Sequence, residues 1–395
     1  MQYRKDLRSG NNLSILGFGC MRFPRKSINH VNIEKTEQLI VNAVKNGINY
    51  FDTAYIYGKS EEILGPIIKN NNLRDKIFLA TKLPLMKCKN YEDFDILFQT
   101  QLDRLQTDYI DYYLMHNLSD INLWKELCEI GIEKWIKEKK NKGSVKNIGF
   151  SFHGIQNEFM QLLDVYDWDF CQIQYNYINV NYQAGMAGLK KASEKGLAVI
   201  IMEPLLGGKL ANGLPSKSSD LFKKANKSLS PAAWALRWLW NQKEVTVVLS
   251  GMNDNSQLEE NIKTAESSAV NMLTKEENDL FESVIKIFNS SDKISCTGCN
   301  YCMPCPNNIN IPGCFAAYNI SHNMGMFSGI QQYITSTGAT DPKKNYTAGK
   351  CSKCGACEKK CPQRISIVKS LEKVKKKMEP FWFWPVINLF VKLRG

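Results

Sequence analysis

The chain has 395 residues, 44% hydrophobic and 23% charged, with a formal net charge of +12, enough for one large domain and a smaller one. The start, MQYRKDLRSG, is polar and lacks the apolar run of a signal peptide. No apolar stretch reaches the length of a transmembrane helix, so a cytoplasmic setting is expected, in which cysteines stay reduced. The lysines are spread along helical faces, with no basic patch interleaved with aromatics over residues 1–290, which argues against a nucleic-acid partner.

In chain order, YRKDLRSGNNLSIL reads as a hairpin covering one end of the domain that follows. Eight strand-like runs come next: SILGFG, INYFDTA, KIFLATKL, YIDYYLMH, VKNIGFS, FCQIQYN, LAVIIMEP and VTVVLSG. Between them lie segments with apolar residues at i, i+3 and i+4. Examples are IEKTEQLIVNAVKNG, where Gly47 suits a helix C-terminus, and YEDFDILFQTQLDRLQ. The strands are mostly apolar rather than alternating, as expected when both faces are covered. Eight such units predict a closed (β/α)8 TIM barrel rather than an open doubly wound sheet, and no GxGxxG follows the first strand. Composition shifts near Ser290 to a stretch rich in Cys, Gly, Pro and Asn. The expected domains are therefore a barrel at 1–290, a small helical domain at 291–370, and a basic, aromatic tail at 371–395.

Catalytic groups of such barrels sit where strands end at the C-terminal rim. FDTAYIYGKSE, ATKLP and LMHN place Asp52, Tyr57, Lys82 and His116 at three successive rims. Taken singly, each has an ordinary explanation: a helix-capping Asp, a pocket-edge Tyr, a packed His. Together they make chemical sense. A phenol with a pKa of about 10 is a poor acid or base at neutral pH unless a cation stabilises its phenolate. Lys82 can supply that cation, Asp52 can hold Lys82, and His116 can orient a substrate carbonyl.

These four residues resemble the catalytic tetrad of the aldo-keto reductases, and the order of elements resembles that family over about residues 1–290. The resemblance implies NAD(P)-dependent hydride transfer between nicotinamide and a carbonyl or alcohol substrate, with Tyr57 as proton donor or acceptor. It also implies cofactor contacts. Ser151 in IGFSFHG and Gln172 in QIQYN fall at the carboxamide positions, with Phe152 where an Asn is usual. Met202 stands where an aromatic ring often stacks on the nicotinamide, and Pro204, Leu205 and Gly207 of MEPLLGGKL lie along the pyrophosphate. In SGMNDNSQLEENI, Glu260 and Asn261 fall toward the adenine. Gly251 and Gln257 occupy the positions where Lys and Arg commonly clamp a 2′-phosphate. Two charge-assisted contacts of roughly 1.5–3 kcal/mol each are thereby absent, which leaves NADP and NAD both open.

Eight of the thirteen cysteines fall in two strings. Cys351-x2-Cys354-x2-Cys357-x3-Cys361-Pro362 has the bacterial ferredoxin spacing, and Cys296-x2-Cys299-x2-Cys302-x2-Cys305-Pro306 is one residue shorter in its last gap. Tetrahedral zinc is the competing reading of paired CxxC units. Three cysteines at successive x2 spacing, followed by Cys-Pro, favour [4Fe–4S] clusters. In a two-cluster arrangement the fourth cysteine of each string ligates the other cluster. One cluster would then take Cys296, Cys299, Cys302 and Cys361, and the other Cys351, Cys354, Cys357 and Cys305. Cys314, Cys20, Cys88, Cys128 and Cys171 read as packing residues.

Barrel and cysteine strings together resemble the ferredoxin-tailed branch of the aldo-keto reductases. The clusters could be staples for a small domain or could exchange electrons with a redox partner protein. In the alternative reading, the chain is an electron-transfer or sensor protein whose barrel turns over little. The tail KVKKKMEPFWFWPVINLFVKLRG is too short to span a bilayer. It suits docking onto the rest of the protein, with contact to a membrane surface as the other reading.

Overall fold

The computed structural model describes residues 1–27, 30–291, 293–323, 325–340 and 345–392. The last two residues of the loop CMRFPRKSIN and the last three of the tail lie outside that range.

Eight parallel strands close into a TIM barrel: β1 (Leu16–Gly19), β2 (Tyr50–Asp52), β3 (Phe78–Leu83), β4 (Ile110–Met115), β5 (Val145–Phe152), β6 (Phe170–Gln174), β7 (Ala198–Met202) and β8 (Val247–Ser250). Each predicted strand is present, though INYFDTA is reduced to its central residues, Tyr50–Asp52, before the chain turns into the rim loop. The antiparallel strands Tyr3–Lys5 and Asn12–Ser14 form the expected N-terminal hairpin. Leu13 of that hairpin lies in the inner core with Tyr50, Ala80, Tyr112, Phe170 and Ile200, so the hairpin closes one end of the barrel. A second, larger core fills the space between strands and helices. Burial on both faces explains why the strands read as apolar runs.

The helices begin and end on local signals. Asn32 caps Ile33–Lys45 by accepting from Lys35 N at 3.2 Å, and Asn90 with Asp93 forms a capping box on Tyr91–Leu105. After the first helix the chain reverses at Gly47, whose φ of +87° favours glycine.

By compactness the chain divides into Met1–Leu205 with Leu229–Lys275, and Leu206–Ser228 with Glu276–Gly395. The excursion after β7 and the helix Lys275–Ser291 thus group with the cysteine-rich residues, whereas the sequence boundary at 290 groups them with the barrel. Phe222 of the excursion meets Phe281 edge-on, with ring centroids 5.6 Å apart. The second unit carries the helices Ile311–Asn323, Met326–Thr337, Ile367–Met378 and Phe383–Lys392. The first two of these follow the first cysteine string, and Gly325 stands at the N-terminus of Met326–Thr337. The tail helix buries Phe383 and Ile387 in this unit's core, while Phe381 is 94% and Leu389 60% exposed. Among the described residues, no helix is long and apolar enough to cross a membrane.

Candidate active site and cysteine centres

Strand parity builds the barrel site. Tyr50, Ala80, Tyr112, Phe170 and Ile200 point into the barrel, and side chains of a strand return to the same face every second residue. Asp52, Lys82, Gln172 and Met202 therefore stand one step nearer the rim on the inward face, and Gln174 one step beyond Gln172. His116 follows Leu114 by the same step. Register completes the ring: Asp52 pairs with Ala80, Lys82 with Leu114, and Ser151 with Gln172.

The predicted tetrad is brought together. Lys82 Nζ donates to Asp52 Oδ1 at 2.6 Å, to Oδ2 at 2.7 Å and to the Thr53 carbonyl at 2.8 Å. It also lies 5.1 Å from the centroid of the Tyr57 ring. Tyr57 and His116 meet edge-on at 6.0 Å. Lys82 and Asp52 are buried, whereas Tyr57 is half-buried. Burial lowers the Lys82 pKa, and the Asp52 carboxylate opposes that loss. His116 is held well below the usual histidine range, first by burial and then by Lys82 and His153, so its imidazole is neutral at physiological pH.

Behind Lys82 lies a buried polar scaffold invisible to motif reading. Thr81 Oγ1 donates to Glu61 Oε1 at 2.6 Å, and Gln101 Nε2 donates to Glu61 at 2.8 Å and to the Lys82 carbonyl at 3.1 Å. Arg104 adds an ion pair to Glu61 at 3.2 Å. With its partners fully satisfied, such a network fixes the strand that carries Lys82.

The candidate cofactor residues are distributed along the rim. Ser151 Oγ accepts from Asn117 N at 2.8 Å. Gln172 Nε2 donates to Asp52 Oδ2 at 2.8 Å, a link to the tetrad that its motif does not announce. Asn261 Nδ2 donates to Ser250 Oγ at 3.0 Å, Gln257 Oε1 accepts from Asn253 N at 3.1 Å, and Glu260 is half-buried. Pro204 is buried, and Met202 and Leu205 are half-buried. A Cβ added at Gly251 would meet nothing closer than 3.8 Å, so a ligand can approach that backbone closely. Sequence reading missed the rim trio His153, Gln183 and Gln174. His153 Nδ1 lies 3.2 Å from Gln183 Oε1, and Gln183 Nε2 donates to Gln174 Oε1 at 3.0 Å. IGFSFHG already carried the only available signal, a histidine just past a strand end.

The cysteines group across the two strings. Cys296, Cys299, Cys302 and Cys361 line one small cavity, and Cys302 is pushed up to about 12 by burial and then by those three thiols. Cys357 is raised first by burial, with Glu358, Cys305 and Cys351 adding to it. Cys361, the fourth cysteine of the second string, thus lies with three of the first, and Cys305, the fourth of the first, lies near Cys357 of the second. Thr297 also lines the first cavity, and its buried hydroxyl has no hydrogen-bond partner among the described residues. Four thiols and an unsatisfied donor fit a sulfide-bearing cluster, which accepts such hydrogen bonds. Among the described residues, no three His, Cys, Asp or Glu side chains close on a single metal ion; the ligands of a cubane stand at its corners, further apart. Cys314, Cys20 and Cys171 are fully buried, and Cys88 and Cys128 half-buried.

A model of the aldo/keto reductase family matches residues 15–286, and one of a 4Fe-4S dicluster domain matches residues 295–366. The uncharacterised oxidoreductase YrpG of Bacillus subtilis is 28% identical over 333 residues, spanning 71% of this chain and 96% of its own. Probable aldo-keto reductase 1 of Glycine max is 26% identical over 314 residues, spanning 70% of this chain and 86% of its own. A holo-form aldo-keto reductase from Bacillus halodurans superposes with a TM-score of 0.58 at 24% identity, covering 72% of this chain and 96% of its own.

Proposed function

Since the chain belongs to the aldo/keto reductase family of oxidoreductases, we propose that its barrel is an NAD(P)-dependent carbonyl/alcohol oxidoreductase with Tyr57 as the proton donor and acceptor. The observation that carries this reading is Lys82, buried, gripped by both Asp52 oxygens and set 5.1 Å from the Tyr57 ring centroid.

A bound nicotinamide would supply or accept the hydride. The chain's own residues manage the proton and the geometry. Lys82 places its positive charge beside the phenol, which favours the phenolate and lets Tyr57 release a proton to a substrate oxygen at neutral pH. Asp52 keeps Lys82 charged against the cost of its burial. His116, neutral, can donate one hydrogen bond to that oxygen and orient the carbonyl. Ser151 and Gln172, adjacent in register, suit the nicotinamide carboxamide, and Gly251 suits close approach of the dinucleotide backbone. Gly251 and Gln257 bring no cation to a 2′-phosphate, so NADH and NADPH should differ modestly as donors.

The two cysteine groups would each hold a [4Fe–4S] cluster in crossed ligation. Their leading role is to staple a small domain; electron exchange with a partner protein is the second reading, favoured by the exposure of Cys354. The decisive experiment is an anaerobic screen of aldehydes, ketones and alcohols against NADH, NADPH and their oxidised forms, using cluster-replete protein. Nucleotide-dependent turnover of a carbonyl supports the oxidoreductase. Rapid reduction of one-electron acceptors with no carbonyl turnover supports the electron-transfer alternative.

A further inference from the structure

The loop that leaves β7 is built against the first cysteine string. Between Glu203 and Gly208 four residues have positive φ: Glu203 at 52°, Leu206 at 49°, Gly207 at 70° and Gly208 at 98°. Two of these are not glycine, and such backbone persists only where the surroundings over-determine it. At Gly207 the determinant is the segment around Thr297. A Cβ added at Gly207 would lie 2.0 Å from the Thr297 carbonyl oxygen and 2.9 Å from its carbon, so only glycine allows the two backbones to touch. Two residues on, Lys209 Nζ donates to the Ile294 carbonyl at 3.2 Å. Ile294 is itself clasped by Asn319, which accepts from its N–H at 3.1 Å and donates to its carbonyl at 2.6 Å. Cys296 N in turn donates to the Ile294 carbonyl at 2.9 Å. The contacts therefore run from helix Ile311–Asn323, through Ile294 and Thr297, to the loop at Gly207 and Lys209. Thr297 sits between two cysteines of the first group, so whatever orders those thiols orders this segment.

We propose that the first cysteine string clamps the loop after β7, with Thr297, Ile294 and Lys209 as positioning residues, so that cluster occupancy and nicotinamide-nucleotide affinity are coupled. This rests on the reading of Pro204, Leu205 and Gly207 as the pyrophosphate-binding stretch. A cluster bound by Cys296, Cys299, Cys302 and Cys361 fixes the path of Thr297, Thr297 fixes Gly207, and the loop is held ready for the nucleotide. Linkage makes the coupling reciprocal: nucleotide must stabilise the clamped segment by the factor with which the cluster tightens nucleotide.

Two measurements test this without reading turnover. Calorimetric titration of NADH and NADPH into cluster-replete and iron-depleted protein should show affinity lower by about fivefold or more after depletion, the low end of ordinary allosteric coupling. Iron release to a chelator, followed by absorbance, should be slower when nucleotide is present. Gly207→Ala, which forces the two backbones apart, should erase that protection, and Lys209→Met, which adds no backbone strain, should weaken it. Equal nucleotide affinity with and without iron, or protection unchanged in both variants, would overturn the coupling while leaving the oxidoreductase reading intact. A wild-type protein that binds no nicotinamide nucleotide would overturn both.

Discussion

Gln172 donates to Asp52 Oδ2 at 2.8 Å across 120 residues of sequence, so the carboxylate that grips Lys82 is itself gripped from the opposite side of the barrel. Asp52 and Lys82 form a buried pair whose charges have few other partners. Removing one partner strands the other, at a cost of about 3–5 kcal/mol. Lys82→Met and Asp52→Asn should each lower the denaturation midpoint strongly, and the double variant should be less destabilised than the sum of the two. Additive losses in that cycle, read by circular dichroism, would show that the pair is not coupled.

Tyr57→Phe keeps the ring beside His116 and removes the hydroxyl of the proposed proton relay. Carbonyl turnover should fall by roughly 10²–10⁴ with nucleotide affinity nearly unchanged. Steady-state kinetics and nucleotide titration on the same preparation check it; unchanged turnover rules out the tetrad assignment.

His153 is pushed down to about 4 by burial, with its Gln183 contact partly opposing the shift. Its imidazole in the unfolded chain takes up a proton near pH 6.5. The native state therefore binds fewer protons between those values. Stability is full above about pH 6.5 and is lost as the pH falls toward 4. His153→Gln should flatten this slope of stability against pH over that window in denaturant titrations, with little change at pH 8. An identical slope in the variant would assign the acid sensitivity to other groups.

The proposed crossed cysteine ligation has a direct test in metal content. Anaerobically purified protein should hold about eight iron and eight sulfide per chain. Replacing Cys296, Cys299 and Cys302 together by Ser should leave about four of each. In that background, Cys305→Ser should alter the electron paramagnetic resonance spectrum of the surviving reduced cluster, and Cys361→Ser should not. The reverse pattern would mean that each string holds its own cluster. Zinc without sulfide in the wild type would replace clusters by structural zinc.

Much of the barrel was written locally. The β-branched and aromatic runs, the caps at Asn32 and Asn90 and the reversal at Gly47 are short-range signals, and each acts over a few residues. Parity then carries the rim chemistry: once Tyr50 and Ala80 are inside, Asp52 and Lys82 must be inside too. What depended on closure was not legible. Gln172 reaches Asp52 only because eight strands complete a ring. The loop at Gly207 lies on Thr297, ninety residues away in sequence, through backbone contact that leaves no periodic trace. Residue types and spacings determine the local elements and the side chains on each face, because those follow from sterics within a few bonds. Which of those side chains meet is decided by the packed tertiary structure, because long-range contacts form only when the whole core selects one closure.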